Sequence, residues 1–261
     1  MNTIGFIDNR QRRGTQNSVD NRPIGRVNPT DRSVTMSAAI ATEIGSRDKI
    51  LDAAEDLFAR RGLSGVGLRE VAEAVGLGKS SLFHHFTSKT QLYAAVVGRI
   101  LDIFDRRLTR ALAAGGDPAL RFDRWLDAAI DMCAEYPTSA RLLLRSLFED
   151  DDLTGSSPEE KHVDDTIRSI FAAASALLRE GMDLGVFRVA NIPHMLQSLI
   201  GLTIFHFASG EFGEELCGQS LFAAPAVKKR KEEVKALLHD GLLIRTPLRR
   251  IEPKVSRGER A

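Results

Sequence analysis

Apolar residues recur at helical spacing along this chain from residue 47 onward, and no run alternates cleanly with period two. In residues 47–62, Ile50, Ala53, Ala54, Leu57 and Phe58 fall at i, i+3, i+4, i+7 and i+8, which gives one apolar helix face with the charged residues opposite. Arg60 and Arg61 suit the negative end of that helix dipole, and Gly62 supplies a left-handed stop. A second helix is expected over residues 68–75, then a tight turn at Gly76-Leu77-Gly78 and a short third helix over residues 79–86. In that third helix Leu82 and Phe86 lie four apart and point inward with Leu77. Two short helices joined by such a turn form a helix-turn-helix, whose later helix enters the major groove of DNA. Ser88 followed by Gln91 is a capping box that opens a fourth helix.

The rest of the pattern stays helical. Leu92, Val96, Ile100, Ile103 and Phe104 carry the fourth helix toward Gly115-Gly116, making a lever between head and body. Asp117-Pro118 starts a helix with Trp125, Leu126, Ala129, Ile130 and Cys133, which Pro137 interrupts. Residues 142–148 form an apolar helix that ends in the acidic run 149–152 and a Gly/Ser loop. Ser157-Pro158-Glu159-Glu160 combines a cap, a proline in the first turn and an acid at the third position, and Ile167, Ile170, Phe171, Ala174, Leu177 and Leu178 mark the buried face that follows. Two final helices, about 192–209 and 226–244, carry stripes through Leu196, Leu199, Ile200 and Thr203, and through Val227, Val234, Leu237, Leu238 and Leu242. The pattern predicts an all-α chain divided at 1–46 (a disordered arm), 47–93 (the helix-turn-helix domain), 94–246 (a larger helical body) and 247–261 (a flexible tail).

Composition changes the picture in four places. With 261 residues and 43% hydrophobic content, the chain can support a head and a body around separate cores. A formal net charge of +1 is not that of a protein that coats nucleic acid, so DNA affinity must come from a local basic patch. Cys133 and Cys217 lie far apart without metal-ligand spacing, and no signal peptide or long apolar run is visible, which points to a reducing cytoplasm and no membrane. The first 46 residues are rich in Asn, Arg, Ser, Thr and Gly, hence the expected disorder; Met36, shortly before the head, is a candidate translation start.

The stretch from Ile50 to Lys89 resembles the TetR family of bacterial repressors, through Ile50, Ala53, Ala54, Leu57, Phe58, Gly62, Val71, Ala72, Gly76, Lys79, Leu82, His84, Phe86, Ser88 and Lys89 at the family's spacing and without a gap. The resemblance implies a helix-turn-helix domain followed by a helical ligand-binding and dimerisation domain, and a repressor that binds a palindromic operator on double-stranded DNA as a homodimer. It also implies that the last two helices pair with their copies about a twofold axis, with Leu196, Leu199, Ile200, Thr203, Val234, Leu237 and Leu238 as the interface candidates. The chain departs from the family at Gly67 and Gly78, where hydroxyl caps are usual, at Val66 and Phe83, which lack a hydroxyl able to reach phosphate, and at Ser80, which replaces a frequent glycine.

The residues expected on the DNA side are Lys79, Ser80, Ser81, Phe83, His84, His85, Ser88 and Lys89. Lys79, Ser80 and Ser81 open the third helix, where side chains reach base edges, while His84, the edge of Phe83 and Lys89 are placed to touch phosphate. Adjacent histidines point apart on a helix, so His84-His85 reads as a DNA face and no metal site is expected; the acidic run lacks the spacing of a calcium loop. No phosphate-cradling loop or nucleophile elbow is present, so neither an enzyme nor a cofactor is expected. For a small apolar inducer, Trp125, Met132, Phe148, Phe171, Met182, Phe205 and His206 are the candidates, because bundle interiors with few polar groups make such sites. The leading function is a ligand-responsive transcriptional regulator; its rivals are an architectural DNA-binding protein without an inducer and, further off, a helical enzyme with an appended DNA module.

Overall fold

The computed structural model describes residues 32–147 and 157–243, and its described elements are helices. The chain divides into two units, 1–42 and 43–261, of which the first is described only as the leading backbone of helix α1. That helix runs Arg32–Arg61, so residues 32–46, expected in the irregular arm, are helical instead. Met36, Ala38, Ala39, Ile40 and Ala41 favour helix and no proline interrupts them, which the low apolar periodicity had hidden. The rest of the expected arm, the acidic run and the tail from residue 247 lie outside the described residues, as does Phe148.

The head comprises α1, α2 (Leu68–Ala74) and α3 (Lys79–His85). Its core is Ile50, Ala54, Phe58, Val71, Leu82 and Phe86, all fully buried, with Tyr93 of the next helix set edge-on against Phe58 at 5.1 Å. Gly62 closes α1 at φ 71° and Gly76 begins the turn between α2 and α3 at φ 69°, the two left-handed positions that the sequence had reserved for glycine. Neither α2 nor α3 has a side-chain cap, since Gly67 and Gly78 occupy those places.

Helix α4 (Lys89–Ala113) leaves the head and becomes the spine of the body, packing along α5 (Pro118–Glu135) and α7 (Pro158–Asp183). Asp117 and Ser157 cap α5 and α7 through Leu120 N–H and Glu160 N–H, as their sequences predicted. Helix α6 (Pro137–Ser146) follows directly after α5 because Pro137 forces a new start. The expected helix over 192–209 is in three parts: α8 (Ile192–Ile200), a π-helical turn at Gly201–Phe205, and α9 (His206–Ala208). A short helix not foreseen, α10 (Glu211–Cys217), comes before α11 (Ala224–Leu242).

An ionic ladder holds α11 against α5. Asp123, Asp127 and Asp131, each one turn apart, meet His239, Lys235 and Lys231 at 2.6, 3.0 and 2.6 Å, and the reversed order shows that the helices run antiparallel. Between these charged rungs and the core, Val234, Leu238 and Leu242 are buried within the single chain.

Candidate functional site

The outer face of α3 carries the side chains that the sequence assigned to DNA. Lys79, Ser80, Ser81, Phe83 and His84 are exposed, and His85, Ser88 and Lys89 are half-buried, while Leu82 and Phe86 anchor the other face in the head core. The Lys79 ammonium lies 5.5 Å from the centre of the Phe83 ring, one turn on, so a cation–π contact steadies it at the start of the helix. The rings of His84 and His85 meet edge-on at 5.8 Å. Arg61 and Arg69 are engaged by Glu70 and Glu73 within the head, so the basic character of this face rests on the lysines.

The turn from α3 into α4 is tightly bonded. Ser88 Oγ accepts from Gln91 N–H at 3.0 Å, and Gln91 Oε1 accepts from both the Thr87 N–H (2.8 Å) and the Thr87 hydroxyl (2.9 Å). The capping box is therefore present in a variant form: the glutamine side chain reaches back one residue further than the cap. Its effect is to fix the first turn of α4, beside Lys89, where exposed N–H groups and the helix dipole favour an anion such as phosphate. Arg99, a few turns on, bonds Asp52 at 2.6 Å and Glu55 at 2.8 Å, and Glu55 also accepts from Ser139 at 3.1 Å, so α4 and α6 are both tied to α1.

Within the body an apolar cavity of about 80 Å³ lies among α4, α5, α6, α7, α8 and the π turn. Leu101 and Phe104 come from α4, Trp125 and Ala129 from α5, and Ile170 and Phe171 from α7; Leu196, Leu199, Ile200 and Thr203 close it from the other side. Its two hydroxyls donate to their own helices, Ser146 to Leu143 C=O and Thr203 to Leu199 C=O, and among the described residues no charged side chain lines it. The described wall therefore suits hydrocarbon, recognised by shape. Leu147 (41% exposed) and Phe171 (36% exposed) are wall residues that also reach solvent.

Of the inducer candidates, Trp125 and Phe171 line this cavity. Met132 is buried in the core away from it, Met182 packs against the core without lining it, and Phe205 is half exposed. His206 belongs to a separate surface pocket with Cys217 and Arg230. The interface candidates differ in their burial within the single chain. Leu199, Thr203, Val234 and Leu238 are already buried within one chain, Leu196 and Ile200 are half-buried cavity walls, and Leu237 remains exposed. The stripe on α8 faces inward because its apolar residues roof the cavity. Leu101, Phe104, Leu143, Ile167 and Ile204 were missed as wall residues: in sequence they are indistinguishable from ordinary core.

A helix-turn-helix head with an exposed basic recognition helix, fused through one long helix to a hollow helical body, defines a DNA-binding regulator. Comparison with known proteins agrees. Residues 50–96 match the family described as bacterial regulatory proteins, tetR family. The chain is 24% identical over 198 residues to the HTH-type transcriptional regulator RutR of Escherichia coli K12, covering 74% of this chain and 88% of that one. Among solved structures, the ketosteroid transcriptional regulator KstR2 of Mycobacterium tuberculosis superposes with a TM-score of 0.61 at 19% identity, over 76% of this chain and 95% of the other. AibR in complex with isovaleryl coenzyme A and operator DNA superposes with a TM-score of 0.60 at 17% identity, over 74% and 97%. The head, residues 50–96, thus carries the helix-turn-helix of the tetR family, and most of the chain is similar to HTH-type transcriptional regulators.

Among the described residues no helix is long and apolar enough to cross a membrane, and no group of three or more His, Cys, Asp or Glu side chains is placed to hold a metal ion.

Proposed function

We propose that the protein is a ligand-responsive transcriptional repressor of the cytoplasm, which binds a palindromic operator as a homodimer and releases it when a small, largely apolar molecule enters the body. The observation that carries this reading is that one helix serves both sites. The first turn of α4 holds Lys89 beside the recognition helix, and further along the same helix Leu101 and Phe104 form part of the cavity wall.

The size of the cavity gives the coupling a physical basis. At about 80 Å³ it is smaller than the cavity of about 150 Å³ that accommodates benzene in a comparable apolar core. A larger guest that displaces the walls, α4 among them, binds the displaced arrangement more tightly than the present one; that difference in affinity is what shifts a conformational equilibrium. AibR, whose fold this chain shares, was solved with an acyl thioester and operator DNA together, which supports an apolar acyl group or a molecule of similar shape as the guest.

Dimerisation is favoured because one recognition helix reads few base pairs, and two set one DNA turn apart multiply the discrimination. Footprinting on genomic fragments with excess competitor DNA tests the reading. A protected site built of two related, inverted half-sites is expected. Protection that grows with fragment length and has no preferred sequence would instead support an architectural DNA-binding protein.

A further inference from the structure

The N-terminus of α7 reaches the DNA-facing turn through a single side chain. Gln91 Nε2 donates to Glu159 Oε2 at 3.1 Å, while Oε1 of the same amide accepts both bonds from Thr87. Glu159 thus holds the far side of the amide that fixes the turn before Lys89. It is itself well placed: it lies in the first turn of α7, where the helix dipole favours an acid, with Arg47 at 3.9 Å, and Arg47 in turn stacks over the Phe86 ring at 5.1 Å from its centre. The amide can satisfy Thr87 and Glu159 simultaneously in one orientation only, with its oxygen toward Thr87 and its nitrogen toward the carboxylate.

The opposite direction along α7 leads to the cavity. Ile167, Ile170, Phe171 and Ala174 belong to the wall, and Ile167 lies two turns beyond Glu159, about 12 Å along the axis at 1.5 Å per residue. Below Glu159, His162 Nε2 lies 2.8 Å from Asp102 Oδ1, pinning this end of α7 to α4. A helix of this length transmits a shift along its axis with little loss, so α7 runs as a second connection from the cavity to the DNA face, alongside α4.

We infer that Glu159 is a positioning residue for DNA binding: acting through Gln91, it sets the turn that presents Thr87, Ser88 and Lys89 to the phosphate backbone, and it ties that turn to the helix lining the cavity. The inference rests on the reading that the α4 N-terminus meets DNA, so Lys89→Ala serves as the control for that reading.

The test is a double-mutant cycle on binding to a duplex selected from a random pool by the wild-type protein, with Glu159→Ala, Gln91→Ala and the pair together. Glu159→Ala is expected to weaken binding roughly three- to tenfold in the wild-type background and to have no further effect once Gln91 is alanine. Glu159→Gln, which still presents an oxygen to the Gln91 amide, is expected to restore most of the affinity. In the free protein, hydrogen exchange at the Thr87 amide should quicken in Glu159→Ala while the thermal midpoint stays near that of the wild type, a result that general loss of stability would not give. An equal loss in both backgrounds, or no loss in the wild-type background while Lys89→Ala does weaken binding, overturns the inference. If Lys89→Ala leaves binding unchanged, the assignment of this helix end to DNA fails, and the inference falls with it.

Discussion

Lys79 and Lys89 stand at the starts of successive helices, and the proposed function gives them different work. Lys89 sits in a turn locked by Ser88 and Gln91, where phosphate is the natural partner, so Lys89→Ala should weaken specific and random DNA alike and lower the salt dependence by about one unit per half-site. Lys79 lies on Phe83 at the base-reading end of α3, so Lys79→Ala should also loosen sequence preference. Binding isotherms across a salt series separate the two, and unchanged isotherms for both variants would remove this face from the DNA contact. His206 shows how placement decides a residue's role. Burial, helped by the nearby Arg230, holds its pKa down to about 4 from the usual 6.5, so the ring is neutral near pH 7. The unfolded chain takes up this proton near 6.5 and the folded chain only near 4. Between those values the unfolded state binds more protons, and stability falls as pH falls. Replacing the ring in His206→Asn should flatten that part of the curve of thermal midpoint against pH; an unchanged slope would mean that other groups carry it. Cys133 is buried, with its thiol pushed up to about 12, whereas Cys217 is exposed. A thiol reagent at neutral pH should therefore modify Cys217 and leave Cys133 until the protein unfolds.

Helices in the head were legible in the sequence because their signals are local. Gly62 takes the positive φ expected of it, Gly76 lies in the expected turn, Leu82 and Phe86 bury the face their spacing dictates, and Ser88 caps α4. The starts of α5 and α7 were legible for the same reason, through Asp117-Pro118 and Ser157-Pro158. Elements whose shape depends on tertiary packing were not. The π turn at Gly201–Phe205 has no proline to announce it, and α10 is a short helix of seven residues between Gly210 and Gly218, both with positive φ, too short to show a helical period. The stripe of Leu196, Leu199, Ile200 and Thr203 fits a subunit interface and a cavity wall equally well by periodicity; that it also lines a cavity follows only from the arrangement of α4, α5 and α7 around it. A pair of substitutions separates inner from outer positions. Leu199→Glu puts a carboxylate into an apolar wall and should cost several kcal/mol of stability. Leu237, 61% exposed, tolerates a charge within the chain, so Leu237→Glu should change the stability of an isolated chain by no more than is typical of surface substitutions, about 0.5 kcal/mol, while weakening self-association if α11 is the contact. Melting curves and sedimentation of both variants check this; a stable Leu199→Glu would contradict the inward placement of α8.

For the whole molecule, the feature that matters is continuity between two sites of opposite character. One is a polar, solvent-facing surface on α3 and the first turn of α4; the other is a small hydrocarbon-lined space enclosed by α4 to α8. Because α4 belongs to both and α7 touches both, the proposed function has the two sites change shape together. Thermodynamic linkage then requires reciprocity: a guest that weakens DNA binding by some factor must itself be weakened by DNA to the same extent. The measurement that tests this most directly takes apolar small molecules that raise the thermal midpoint of the free protein and titrates them against the protein with and without its selected duplex. The account predicts that a guest binding in the cavity loses affinity when the duplex is present, by the same factor by which it lowers affinity for the duplex. Guests that occupy the cavity tightly and leave duplex affinity unchanged would contradict it.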